Sequence, residues 1–244
     1  MSFLSRRIAY DRKRLLDRAA ALETGWRWRK ALTLYRQVLA AEPRCAEIHA
    51  LAAPLLARSK RSVESWESYQ VAIEAAQESG ETTQARSILR AAHRALPTCA
   101  EACRALARVE RALGRSEVSL TLLEKGSRRL ARRGRRGEAI LLLRDAREIE
   151  SWNPEIVILL SRLLIRDRQA AEALYYLDHL ERRVSSDYAR EVRWLLWRVE
   201  PSLRHTWRWL TTPRAPRHAQ STTVFRSKRS AAPRAGIKPR TSPT

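Results

Sequence analysis

A chain of 244 residues with 48 Lys or Arg against 26 Asp or Glu carries a formal charge of +22, a balance suited to nucleic acid, anionic lipid or acidic protein and identifying none of them. Its hydrophobic share of 44% is enough for a core; few glycines and abundant Ala, Leu, Arg and Glu favour helix, and Val, Ile and Thr nowhere form the alternating runs of a sheet. Nowhere do about 18 apolar residues stand together, which excludes a membrane-spanning helix, and three cysteines exclude a disulfide framework.

Residues 1–25 are predicted to be an N-terminal cap, frayed over 1–7 and helical over 8–22, with Ile8, Leu15, Leu16, Ala19 and Leu22 on one side and Gly25 at the end. The opening stretch lacks the apolar core of a secretion signal, and a reducing cytoplasm is the expected setting. The next helix, up to Glu42, holds Trp26, Trp28, Leu32, Leu34, Tyr35, Val38 and Leu39. One predicted to start at Pro43 carries Ile48, Leu51, Leu55 and Leu56, with Pro54 set to kink it or shift its start. A third, over 62–78, carries Trp66, Tyr69 and Ile73.

Further helices are predicted over 82–95, 98–113, 116–133, 136–150, 153–166, 169–184 and 186–199, which makes about eleven in all. Gly80, Pro97, Gly114 and Gly134 mark turns, and Asn153 with Pro154 forms a cap followed by a first-turn proline. Residues 188–210 are read as a C-terminal cap with an amphipathic segment over 202–210. The remainder, 211–244, is rich in Pro, Ser, Thr, Arg and Lys and reads as a disordered basic tail.

These elements repeat. Ala31, Tyr35, Val38 and Pro43 have the same spacing as Ala85, Leu89, Ala92 and Pro97, and the shift that carries Ala31 to Ala85 carries Ala85 on to Ala139, which Leu143 and Ala146 follow in turn. At that shift Glu47, Glu101 and Glu155 coincide, as do Gly80 with Gly134; Ser65, Ser119 and Ala173 are all small, and Tyr69, Leu123 and Leu177 all large. Three ungapped blocks result, 26–79, 80–133 and 134–187, each holding three helices. The small residues lie on one helical face with the large ones, where they let a neighbouring helix approach. Units of this kind bury their apolar faces only by stacking, so the period itself predicts an all-α solenoid.

The spacing of Gly, Ala, aromatic, small residue and Pro resembles the tetratricopeptide repeat, a helical hairpin of about 34 residues. Ser65, Ser119 and Ala173 each lie one such hairpin length after Ala31, Ala85 and Ala139, with an added helix between successive pairs. Trp66, Tyr69, Gly80, Ala85, Arg86 and Pro97 also look like the half-repeat variant of RNA-processing scaffolds. The resemblance implies a right-handed α-solenoid that binds a protein or peptide on its superhelical surface and carries no catalytic residues. With three helices per period, pairing as hairpins and packing as three-helix units are both open.

The most pointed local feature is Arg128, Arg129, Arg132, Arg133, Arg135 and Arg136. It reads either as an anion site for phosphate, acidic peptide or lipid headgroup or as a solvated helix end suited to the macrodipole. Tryptophans paired around arginine, at 26–28 and again at 207–209, suit a membrane surface, base stacking or the covering of an exposed solenoid end. Cys99 and Cys103 are four apart, yet no His spacing completes a metal site, and burial is the better account. No glycine-rich phosphate loop or nucleophile elbow occurs. The expectation is a non-enzymatic scaffold without cofactor, metal or small-molecule substrate. A protein or peptide partner leads, RNA binding through the Arg128–Arg136 cluster and tail comes second, and attachment to an anionic membrane third.

Overall fold

A computed structural model describes residues 11–184 and 186–212. Among them are twelve helices and no strand: α1 (Arg12–Thr24), α2 (Trp28–Ala41), α3 (Ala46–Arg58), α4 (Ser62–Glu78), α5 (Thr82–Ala95), α6 (Ala100–Ala112), α7 (Ser116–Arg132), α8 (Arg136–Ile149), α9 (Pro154–Arg166), α10 (Ala170–Glu181), α11 (Ser186–Val199) and α12 (Leu203–Leu210). The amphipathic segment after Pro201 is thus a twelfth helix, packed on α11. The predicted start at Ile8 and the tail beyond Thr212 lie outside the described residues.

Consecutive helices pack side by side, and α3 also meets α5, α6 meets α8 and α9 meets α11. This skip-one contact returns every third helix, so the array is built from triplets and not from uniformly alternating hairpins. The triplets are offset by one helix from the blocks of the sequence period. Three buried clusters follow one another along the array, over α1–α3, α3–α6 and α6–α11.

The small residues of the period sit where helices touch. Ala31, Ala85, Ala139, Ser65, Ser119 and Ala173 are all buried, with Tyr35, Leu89, Leu143, Ala92, Ala146, Tyr69, Leu123 and Leu177 from the same helices. The Ser65 hydroxyl donates to the Ala53 carbonyl at 2.7 Å, and Ser119, one period on, donates to Ala107 at 2.8 Å. The third block exchanges the pair to Ala173 and Ser161 and keeps the close approach without that bond. Ion pairs also keep register: Arg36–Glu64 and Arg144–Glu172 both close at 2.8 Å, two periods apart.

Several local expectations change. Pro43 does not open a helix, because the backbone of Glu42 leaves the helical range to end α2 and Cys45 caps α3, so that the proline stays in the turn. Pro97 stands likewise ahead of α6. Pro54 lies inside α3 without restarting it. Leu51 is exposed, since α3 turns only Ile48, Ala52, Leu55 and Leu56 to the cluster it shares with α1 and α2. Trp26 belongs to no helix: it sits in the α1–α2 turn at φ 59, where the next two blocks have Gly80 and Gly134 at φ 73 and 79.

Candidate anion-binding surfaces

The Arg128–Arg136 cluster spans the end of α7, the turn at Gly134 and the start of α8, and its side chains divide between several partners. Arg129 donates to the Pro97 carbonyl at 3.0 Å, Arg133 to the Thr98 hydroxyl at 3.2 Å, and Arg135 to the Thr98 carbonyl at 2.7 Å and to both oxygens of Glu138. Arg136 donates to the Arg166 carbonyl at the end of α9 at 3.3 Å, and Arg128 pairs with Glu124 at 2.6 Å. Five of the six are therefore committed to turns, helix ends or carboxylates. Carbonyls at helix ends have no intrahelical partner, so a guanidinium with five donors satisfies them well. Burial first, and then the charge of Arg129, hold His93 below the ordinary histidine range.

Arg132 is the exception, with no ion pair among the described residues. With Arg128 it forms one wall of an opening of about 320 Å³ whose floor is α9 and whose other wall is α11. Ala131, Ile158, Leu159 and Leu163 give that groove an apolar bed; Arg162 pairs there with Glu191, and the Tyr188 hydroxyl donates to Glu155 at 2.9 Å. Burial and then that bond push the Tyr188 phenol up to about 12. Of the cations lining this groove, Arg132 and Arg166 meet no carboxylate among the described residues.

A second basic opening, of about 530 Å³, lies at the other end of the array, between the start of α2 and the α3–α4 turn. Arg29, Arg36, Arg58, Lys60 and Arg61 line it around Trp28. The guanidiniums of Arg29 and Arg58 stand 5.1 and 5.4 Å from the Trp28 ring centroid, within cation–π range. Sequence reasoning did not find this site. Its two halves lie far apart in the chain, and the available signal, the three cations Arg58, Lys60 and Arg61, is shorter than the Arg128–Arg136 run.

The C-terminal tryptophans divide. Trp197 and Trp209 stack at 6.3 Å, holding α12 on α11, and Arg190 lies over Trp209, whereas Trp207 is 71% exposed. Trp152 stacks on His179 beneath Arg183, and Trp66 packs half-buried against the buried cluster over α3–α6. Burial pushes the Cys99 thiol up to about 11 and Cys103 up to about 12. Among the described residues no three His, Cys, Asp or Glu side chains are grouped to hold a metal, and no helix is long and apolar enough to cross a membrane.

No protein-family model matches the sequence, and no curated protein matches it. Among solved structures it is similar to PilF of Pseudomonas aeruginosa, at 12% identity over 82% of this chain and 88% of that one with a TM-score of 0.32. It is similar also to a tetratricopeptide repeat protein from Parabacteroides merdae, at 12% identity over 81% and 90% with a TM-score of 0.30, and to PilW, a type IV pilus biogenesis factor, at 16% over 81% and 90% with a TM-score of 0.30. By its own packing the described part of the chain is an all-α solenoid whose helices group in threes.

Proposed function

We propose that the chain is a non-catalytic scaffold that holds an acidic protein segment in the groove over α9. The observation that carries this reading is the pairing, in one groove, of an apolar bed from Ile158, Leu159 and Leu163 with two unneutralised arginines, Arg132 and Arg166. An extended segment that alternates carboxylates with apolar side chains satisfies both surfaces, the carboxylates meeting guanidinium forks and the apolar residues leaving water. Charge complementarity of this kind selects partners and speeds their encounter more than it deepens affinity.

Fluorescence anisotropy with a labelled peptide of alternating Glu and Leu tests the reading, against a control with Lys in place of Glu. The acidic peptide binds, the basic one does not, and Arg132→Glu with Arg166→Glu lowers affinity at least tenfold. Equal binding of both peptides, or a double variant that binds like the parent, overturns it.

A further inference from the structure

We propose that the opening around Trp28 is a binding site for a compact anion bearing two or more phosphate groups, distinct from the groove over α9. The site concentrates charge that the protein itself leaves uncompensated. Of its five cations, Arg36 and Arg61 share one carboxylate, Glu64, at 2.8 and 2.9 Å, while Arg29, Arg58 and Lys60 meet none among the described residues. In contrast to the Arg128–Arg136 cluster, none of these three side chains donates to a helix-end carbonyl there.

The placement of the charge is unfavourable without a ligand. Trp28 and Arg29 open α2, whose first turn has no acid, and Arg61 immediately precedes α4; neither helix start has a side-chain cap. Helix starts carry partial positive charge and free N–H groups, so cations there oppose the macrodipole, and an anion in front of them relieves both terms. Lys60 adds a backbone cost, holding φ 62 at the position where the middle block has Gly114. The other blocks lack the Trp28–Arg29 pair, although the third keeps arginines, Arg166 and Arg168, where this one has Arg58 and Lys60. Thr82 and Thr83 or Arg136 and Gly137 stand for Trp28 and Arg29, and Ala112 stands for Arg58 in the middle block.

Several features select the ligand class. The opening is wider than one phosphate, and an excess of several positive charges around it needs more than one negative charge in return. Trp28 holds Arg29 and Arg58 by cation–π contact, which limits the rotamer freedom lost when their planar forks engage phosphate oxygens.

Calorimetric titration of the full chain with inorganic tripolyphosphate, against sulfate at equal ionic strength, tests the proposal. Tripolyphosphate binds at one saturable site that sulfate does not fill. Lys60→Gly lowers its affinity at least fivefold while the thermal midpoint holds or rises, because glycine relieves the left-handed turn and the loss cannot be unfolding. Arg29→Gln with Arg58→Gln lowers affinity at least tenfold, and Arg132→Glu with Arg166→Glu leaves it unchanged, which separates this site from the groove. Two further arms identify the source. Inositol hexakisphosphate in solution competing with tripolyphosphate points to a soluble ligand; capture by vesicles containing a bisphosphorylated inositol lipid, but not by phosphatidylserine vesicles of equal charge, points to a headgroup. Binding that Lys60→Gly does not weaken, sulfate binding as tightly as tripolyphosphate, or displacement of tripolyphosphate by the acidic Glu–Leu peptide overturns the proposal.

Discussion

Arg86 grips Glu110 with two parallel bonds, Nε to Oε1 at 2.9 Å and Nη2 to Oε2 at 2.8 Å, and the carboxylate is only 1% exposed. Arg90 at 3.1 Å and Arg115 at 3.5 Å complete its surroundings. One period back the two positions are Leu32 and Leu56, and one period on Ile140 and Leu164, all buried apolar side chains. The middle block has thus replaced an apolar contact by an ion pair at one point of the repeat.

That substitution makes the first prediction. A buried pair costs desolvation that its own attraction only partly offsets, whereas removal of one partner strands the other. Glu110→Leu is expected to destabilise by about 3–5 kcal/mol, chiefly through Arg86, since Arg90 and Arg115 can swing to water. Arg86→Leu with Glu110→Leu, which restores the pattern of the flanking blocks, is expected to recover most of that loss. Urea unfolding of the three proteins checks it; a double variant as unstable as Glu110→Leu would refute the apolar equivalence.

Gly126 in α7 stands where neighbouring side chains leave no room for a side chain of its own. A Cβ built there would stand 2.7 Å from the Cys103 sulfur and 3.0 Å from Leu142 Cδ1. Gly126→Ala is expected to cost about 1–3 kcal/mol by overpacking, although alanine is the better helix former. In a Cys103→Ala background the clash with sulfur disappears, and the same substitution is expected to cost at least about 1 kcal/mol less. Gly137 in α8 has nothing within 4 Å of its added Cβ, so Gly137→Ala is expected to stabilise by about 0.5–1 kcal/mol. Denaturant midpoints of the four variants test both signs.

The turns carry a backbone period that side chains do not follow. Gly80, Gly114 and Gly134 adopt φ 73, 74 and 79, and Trp26, Lys60 and Arg168 adopt 59, 62 and 62 at equivalent points. A left-handed non-glycine residue costs about 1–2 kcal/mol, partly offset by the larger unfolded-state freedom of glycine. Trp26→Gly and Arg168→Gly are each expected to stabilise by about 0.5–1 kcal/mol and to add when combined, because they sit in different turns. Calorimetric midpoints of the single and double variants would show it; a fall in either single variant would mean that the side chain contributes packing.

The helices were legible because helix boundaries are local. Gly, Pro and small residues punctuate the sequence where the backbone needs them, and the shift from one block to the next preserves their classes. Trp26 was misread because its side chain suggests a helix while its position inherits the turn of Gly80. The placement of charge was not legible at all. Arg129, Arg133 and Arg135 are consumed by the α5–α6 turn, far back along the chain, and Arg58 and Lys60 join Arg29 only when α3 folds back on α2. A run of arginines announces itself in sequence, but which arginines stay unneutralised depends on where carbonyls and carboxylates arrive in space.

Buried thiols make the last prediction, an alkaline weakness. Burial raises Cys103 to about 12 and Cys99 to about 11, the latter also through its bond to Glu101, from an ordinary value near 9. Between the unfolded and folded values the unfolded chain has lost the proton and the folded chain retains it. The unfolded state therefore binds fewer protons, and stability falls as pH rises. The loss begins near pH 9 and approaches about 1.4 kcal/mol per pH unit for each cysteine, with Cys99 contributing up to about pH 11 and Cys103 to about pH 12. Below pH 8 both thiols are protonated in either state and the contribution is flat. Urea midpoints of the parent and of Cys103→Ala at pH 7.5, 9 and 10.5 separate this slope from the tyrosines, which titrate in both proteins. The variant is expected to lose less stability than the parent between pH 9 and 10.5, and parallel losses would show that Cys103 ionises as an exposed thiol.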